Sequence, residues 1–254
     1  MNQSLAHEPD GLPPGPLRWQ TEGALLLIAM FLPTLMAWLY FAQFVGQADW
    51  MRILYFLTKL LEFVIAATPI YIVWRTTGRL PRFPIRSLHG VTWGLSFGLA
   101  VNGGMLALYF LMMRDSSVMS QAPAAIEERI RAFGVTAPGS FLIMAVFISM
   151  IHAALEEYFW RWYVFGQLRR GMPVTAALVV AAVGFTLHHV IIIHMFVPSW
   201  PWTLFFSFAV MVGGGVWAWL YHKSGSLVGP WVSHMLIDFG LMWIGFDLCR
   251  GMWT

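Results

Sequence analysis

A chain of 254 residues, 59% of them hydrophobic and 11% charged, lacks the polar side chains to coat a soluble particle, since soluble domains are roughly a quarter charged. Its single cysteine, Cys249, excludes an internal disulfide and any cysteine-built zinc site. The net charge of +3 comes from basic residues scattered between apolar runs rather than gathered on one face, so no nucleic-acid partner is expected. The expected fold class is therefore all-α, a polytopic transmembrane helix bundle whose main partner is the lipid bilayer.

Residues 1–20, MNQSLAHEPDGLPPGPLRWQ, are Pro/Gly-rich and mildly acidic and read as a short disordered tail. They lack the basic start of a secretory signal, and no lipid-attachment motif is visible. Residues 21–254 read as a single integral membrane domain. Crossing the hydrocarbon layer takes roughly 20 apolar residues. Seven runs reach that length, near 22–45, 53–74, 91–114, 141–168, 173–197, 200–222 and 226–248. The second contains Lys59 and Glu62, spaced for a self-paired polar contact. Between the third and fourth runs, AAIEERIRAF has the pattern of a short amphipathic helix lying at the interface. The fourth run, about 42 Å long as a helix, must tilt, project into water or break, and a break would raise the seven spans to eight. Trp50, Trp74, Trp200 and Trp202 near span ends read as interfacial anchors. Cys249 reads as a small buried residue at the end of the last span.

Lysines and arginines outside the spans set orientation. Eight fall on one side: Arg18, Arg75, Arg79, Arg82, Arg86, Arg169, Arg170 and Lys223. Five fall on the other: Arg52, Arg114, Arg129, Arg131 and Arg250. The expectation is a cytoplasmic N-terminus in a bacterial inner (plasma) membrane.

Ionisable groups inside spans are expensive and usually face the bundle interior. They concentrate in the last half of the chain. ALEEYFWRWYVFG (154–166) carries Glu156, Glu157 and Arg161; GFTLHHVIIIHMF (184–196) carries His188 and His189; PWVSHMLIDFG (230–240) carries His234 and Asp238. Counted from their span ends, these groups fall within about 10 Å of one depth. Glu157 and Arg161 have the i,i+4 order that favours a helical ion pair, which leaves Glu156 as the candidate general base. His152, one turn earlier, can hydrogen-bond Glu156. His234 and Asp238 are also i,i+4, so the carboxylate can set the imidazole tautomer. His188 and His189 are neighbours, and one of them must face elsewhere. His194 lies near the far interface and is left out of the site. The plainer reading of the whole set is a polar network that holds helices together.

At these residues the chain resembles the CAAX protease and bacteriocin-processing family of intramembrane endopeptidases, which includes the CAAX prenyl endopeptidases. The family's motifs are Glu-Glu-x-x-x-Arg, Phe-x-x-x-His and His-x-x-x-Asn or Asp. They stand here in order as Glu156-Glu157-Tyr-Phe-Trp-Arg161, Phe185-Thr-Leu-His-His189 and His234-Met-Leu-Ile-Asp238. GGGVWAWLYHKSGSLVGPWVSHMLIDF also resembles the family's small-residue helix, turn and Pro-His segment. The likeness covers about 141–245, with 141–248 as the expected catalytic core, and nothing in 1–130 carries it. Trp162 stands where members often have Gly, and Asp238 replaces the Asn of the prenyl-protein enzymes.

The resemblance implies a glutamate-dependent hydrolysis of a peptide or protein substrate that enters from the membrane. Glu156 and His189 would activate a water, and His234 would donate to the developing oxyanion. Asp238 would orient and charge His234 or itself be protonated. Glu157 and Arg161 would support them, with His188 and His152 beside the site and Phe185 packing it against water. The expected cofactor is none. The alternative is Zn2+ on Glu156, His189 and His234, a donor set of the catalytic zinc type. Two other functions compete: a non-catalytic membrane protein of the same fold (bacteriocin immunity or scaffold), and a proton-coupled transporter. The latter would show broken helices, for which Gly213-Gly214-Gly215 is a candidate site.

Overall fold

The computed structural model describes residues 15–20, 22–39, 48–78, 80 and 88–253. Among them the chain forms only helices and connecting turns: α1 (Glu22–Trp38), α2 (Ala48–Thr77), α3 (Val91–Met113), α4 (Ala122–Ala132), α5 (Pro138–Gly171), α6 (Val174–Phe196), α7 (Trp200–Ser224) and α8 (Val228–Leu248). Helices α3, α5, α6 and α7 are both long and apolar enough to cross a membrane. Large apolar side chains point outward along them, among them Trp93, Leu111, Ile143 and Phe208. A soluble surface would not carry so much exposed hydrocarbon, and the protein is an integral membrane protein. The side chains of Lys59 and Glu62, and with them their expected contact, lie outside what the structure describes, as do residues 1–14 of the tail and Arg79, Arg82 and Arg86. Residues 15–20 dock: Leu17 is buried and its N–H donates to the Arg170 carbonyl at 3.3 Å.

Helix α5 does not break. It runs for 34 residues, about 50 Å at the usual α-helical rise. Two stretches within it, Phe147–His152 and Tyr158–Phe165, are wound wider, as π-helix. Such winding is rare and recurs at functional sites. The second stretch lies deep in the bundle, with Phe159 through Phe165 all buried. Trp162 is accommodated there rather than excluded, stacked on Tyr158 at 5.0 Å between ring centroids.

Two close helix contacts set the frame around α5. Along α3 and α8, Gly94 and Gly98 let the backbones meet. A Cβ at Gly94 would strike the Gly229 carbonyl, and one at Gly98 would lie 3.0 Å from Ser233 Cα. Small residues four apart are the usual basis for close packing in lipid. Asn102 Nδ2 donates to the Leu236 carbonyl at 2.8 Å, further along the same seam. At its end, Asp247 of α8 accepts from Arg114 Nε (2.8 Å) and NH2 (2.6 Å) and from the Tyr109 hydroxyl (2.7 Å). The second contact joins α6 to α7, where a Cβ at Gly214 would lie 3.1 Å from Phe185 Cδ1. The three-glycine run is thus a packing surface. Helix α7 passes through it without interruption, so the break expected of a transporter is not formed there.

The amphipathic segment is helical as its pattern suggests. Helix α4 buries Ala122 and Ile130, while Glu127 and Arg131 pair at 2.8 Å on its exposed face. Ile130 joins Phe141, Ala145 and the buried Cys249 in one apolar cluster, so α4 covers the bundle end where α5 begins and α8 finishes.

Candidate active site

Mid-helix residues of α5, α6 and α8 meet in the interior at one polar cluster. At its base is a buried ion pair, Arg161 Nε to Glu157 Oε2 at 3.1 Å, with both side chains at most 2% exposed. Burying two charges is costly unless they are paired. The guanidinium gains further stabilisation from aromatic faces. Its Cζ lies 4.5 Å from the Phe185 ring centroid and 4.9 Å from that of Trp217. Buried NH1 and NH2 make no hydrogen bond, so the quadrupoles of these two rings take the place of acceptors.

Glu157 reaches past Arg161 to α8. Its Oε1 accepts from His234 Nδ1 at 2.8 Å. A carboxylate held by an arginine can only accept, so the proton lies on Nδ1 and Nε2 is turned to the cluster. This corrects the expectation that Asp238 sets the tautomer. Asp238 Oδ2 stands 3.6 Å from His234 Nε2, beyond a hydrogen bond. The partner that fixes the ring comes from another helix.

Glu156, one residue before Glu157, faces a ring of imidazoles. Its Oε1 lies 3.4 Å from His152 Nε2 and 3.8 Å from His188 Nε2, and its Oε2 lies 3.7 Å from His234 Nε2. These are ion-pair separations, longer than a tight hydrogen bond, so the carboxylate sits among three imidazoles without being locked to any one of them. Only 11% of the Glu156 side chain is exposed. The carboxylate therefore works in a nearly dry setting, where charge interactions are strong.

The two α6 histidines are not opposed as expected. Their ring centroids lie 4.1 Å apart at 43°, so both border the cluster. His188 is the one against Glu156, and Trp160 stacks on it at 5.9 Å. His189 Nδ1 lies 2.9 Å from the Phe185 carbonyl; the carbonyl can only accept, so Nδ1 carries the proton and Nε2 the lone pair. Its ring remains within electrostatic reach of Glu156 and His234. His194, left out of the site, binds Thr203 at 3.1 Å and stacks on Trp200 at the α6–α7 turn.

Phe185 is the hub of the aromatic wall, with edge contacts to Trp160, Trp217, His188 and His234. Sequence reasoning missed Trp217. It lies flat on His234, 4.2 Å between centroids at 16°, and its indole N–H donates to Ser233 Oγ at 2.9 Å. One signal was available. A tryptophan two residues after three glycines sits where the backbone of α7 comes closest to its neighbours.

The alternative zinc set does not fit. Among the described residues no three His, Cys, Asp or Glu side chains stand at metal-ligand spacing.

Residues 138–240 match the family described as Type II CAAX prenyl endopeptidase Rce1-like. No curated protein and no solved structure matches the chain.

Proposed function

Residues 138–240 belong to the CAAX protease family, and from that premise we propose that the chain is an intramembrane endopeptidase using Glu156 to activate a water. Family membership supplies protease activity in general; the assignment of steps to residues is our reading. The observation that carries it is the Glu156 carboxylate facing imidazoles from three positions at 3.4 to 3.8 Å, within a wall of aromatic rings.

In this reading Glu156 takes a proton from a water held among His188, His189 and His234. The water oxygen bonds to the scissile carbonyl carbon, and the carbonyl oxygen becomes an oxyanion. His234 gives Nδ1–H to Glu157 and in its charged form donates from Nε2 to that oxygen. Collapse breaks the C–N bond, and the proton on Glu156 passes to the leaving amine. His189, with its Nε2 lone pair, shares the proton-accepting role; His188 and His152 hold the Glu156 carboxylate. Asp238, near His234 Nε2, balances the imidazolium charge. Glu157 and Arg161 position His234, and Phe185 keeps bulk water out. No step in this reading is routed through a metal. The substrate is a membrane-associated peptide or protein, and the arginine-rich side with the N-terminus is cytoplasmic.

The test works before any substrate is identified. Peptide termini are compared by mass spectrometry in membranes containing the native chain, Glu156→Ala or His189→Ala. New termini should appear with the native chain and vanish with either variant. The full set persisting in both variants ends the assignment.

A further inference from the structure

A second polar cluster lies outside the catalytic region, where α5 and α7 end together. Arg169 is packed between aromatic groups, its Cζ 5.0 Å from the Phe165 ring centroid and 5.7 Å from that of Tyr221. Its NH1 lies 3.1 Å from His222 Nδ1. A guanidinium has no lone pair to offer, so His222 accepts at Nδ1 and carries its hydrogen on Nε2. Arg169 Nε is buried and has no hydrogen-bond partner. Lys223, next in the chain after His222, is exposed. The neighbouring Arg170 is already used, bound to Glu22 at 2.9 Å and to the Gly15 carbonyl at 3.0 Å.

The cluster is thus made of donors. Arg169 presents a partly buried cation that pairs with no carboxylate among the described residues, His222 presents an N–H, and Lys223 a second cation. Burying a cation is costly without compensation, and the last-turn position of Arg169 supplies only the partial negative charge of a helix end. The cluster sits where two membrane-length helices end, and the distribution of lysine and arginine makes this the expected cytoplasmic side. A basic pocket between helices at that level suits an anionic headgroup, and a planar guanidinium is matched to phosphate oxygens.

We propose that Arg169, His222 and Lys223 form a binding site for a phosphate anion, supplied by a lipid headgroup or by free phosphate. This site is independent of the catalytic reading. It would tether the ends of α5 and α7, the helices that carry Arg161 and Trp217, to the membrane surface.

Native mass spectrometry of the delipidated full chain in detergent tests it, with phosphatidylglycerol, phosphatidylcholine or inorganic phosphate as probe. The native chain should retain phosphatidylglycerol in preference to phosphatidylcholine, and Arg169→Gln should weaken that retention about tenfold. Lys223→Gln, at an exposed position, should weaken it to a smaller degree and keeps the test open if Arg169→Gln does not fold. Displacement of the lipid by inorganic phosphate identifies free phosphate as sufficient; failure to displace it identifies the headgroup. Equal retention of both lipids by the native chain, or unchanged retention in both variants, overturns the proposal.

Discussion

Glu156 and Glu157 are adjacent and chemically identical, yet their surroundings give them different work. Glu157 is held between Arg161 and His234, so its loss strands a buried cation. Glu157→Gln should lower stability by about 3 kcal/mol, read as a lower unfolding temperature in detergent. Glu156 has no such obligation. Glu156→Gln should unfold near the native temperature while cleavage falls by about two to four orders of magnitude. The reverse pattern, with Glu156 needed for folding and Glu157 dispensable, would exchange their roles. The Glu157–Arg161 pair was legible in the sequence because both groups lie on one helix at a fixed spacing. The partner of His234 was not. Spacing along α8 offered Asp238, but the bond goes to Glu157, about a third of the chain away, and only the packing of α5 on α8 decides between them. The expectation that His188 and His189 cannot both face the site failed for a similar reason. Helical phase alone turns neighbours about 100° apart, whereas both rings are broad enough to border one cavity.

Helix α5 and the α3–α8 seam determine where the site's side chains stand. Wide winding on either side of Ala153–Glu157 shifts side-chain phase and lets a run of aromatic residues be buried all round. Nothing in the composition of 147–165 announces this; the run's length signalled only that a regular span would overshoot. The seam is marked in the sequence. Gly94 and Gly98 have the small-residue spacing of close helix pairs, and they bring α3 against the turn of α8 that carries Ser233 and His234. Gly94→Val should force the two backbones apart at the Gly229 carbonyl, costing about 1–3 kcal/mol and reducing cleavage along with it. Cleavage unaffected by that substitution would show that α3 does not position α8. The cover formed by α4 has its own reporter in Cys249. Burial pushes its thiol up to about 11, so the reactive thiolate is scarce until the pH approaches that value. Alkylation by iodoacetamide at pH 8 should be slow in the folded protein and rapid after denaturation in detergent. Rapid labelling of the folded chain would mean that α4 does not cover this end of the bundle.

At the level of the whole molecule, composition was sufficient to place the chain in a membrane and to make it all-helical, because 11% charge leaves few alternatives. The ordered motifs fall in the part of the chain that matches the protease family. The first three helices carry no such motif, and their part in the site emerges only from contacts: Tyr158 of α5 donates its hydroxyl hydrogen to the Ala66 carbonyl of α2 at 3.2 Å, and α3 braces α8. The arrangement also bears on metal dependence. With no three side chains at metal-ligand spacing among the described residues, cleavage should continue at an undiminished rate in EDTA or phenanthroline. Loss of activity on chelation, restored by zinc, would require the side chains to regroup around an ion.

The most direct measurement follows the oxygen. A substrate found from its new termini is cleaved in a single turnover by the reconstituted chain in heavy-oxygen water, and both product and enzyme are weighed by mass spectrometry. A water prepared by Glu156 puts one heavy oxygen into the new carboxylate of the product and none into the protein. Heavy oxygen in the Glu156 side chain would mean that this carboxylate attacks the peptide itself, and the account would be wrong.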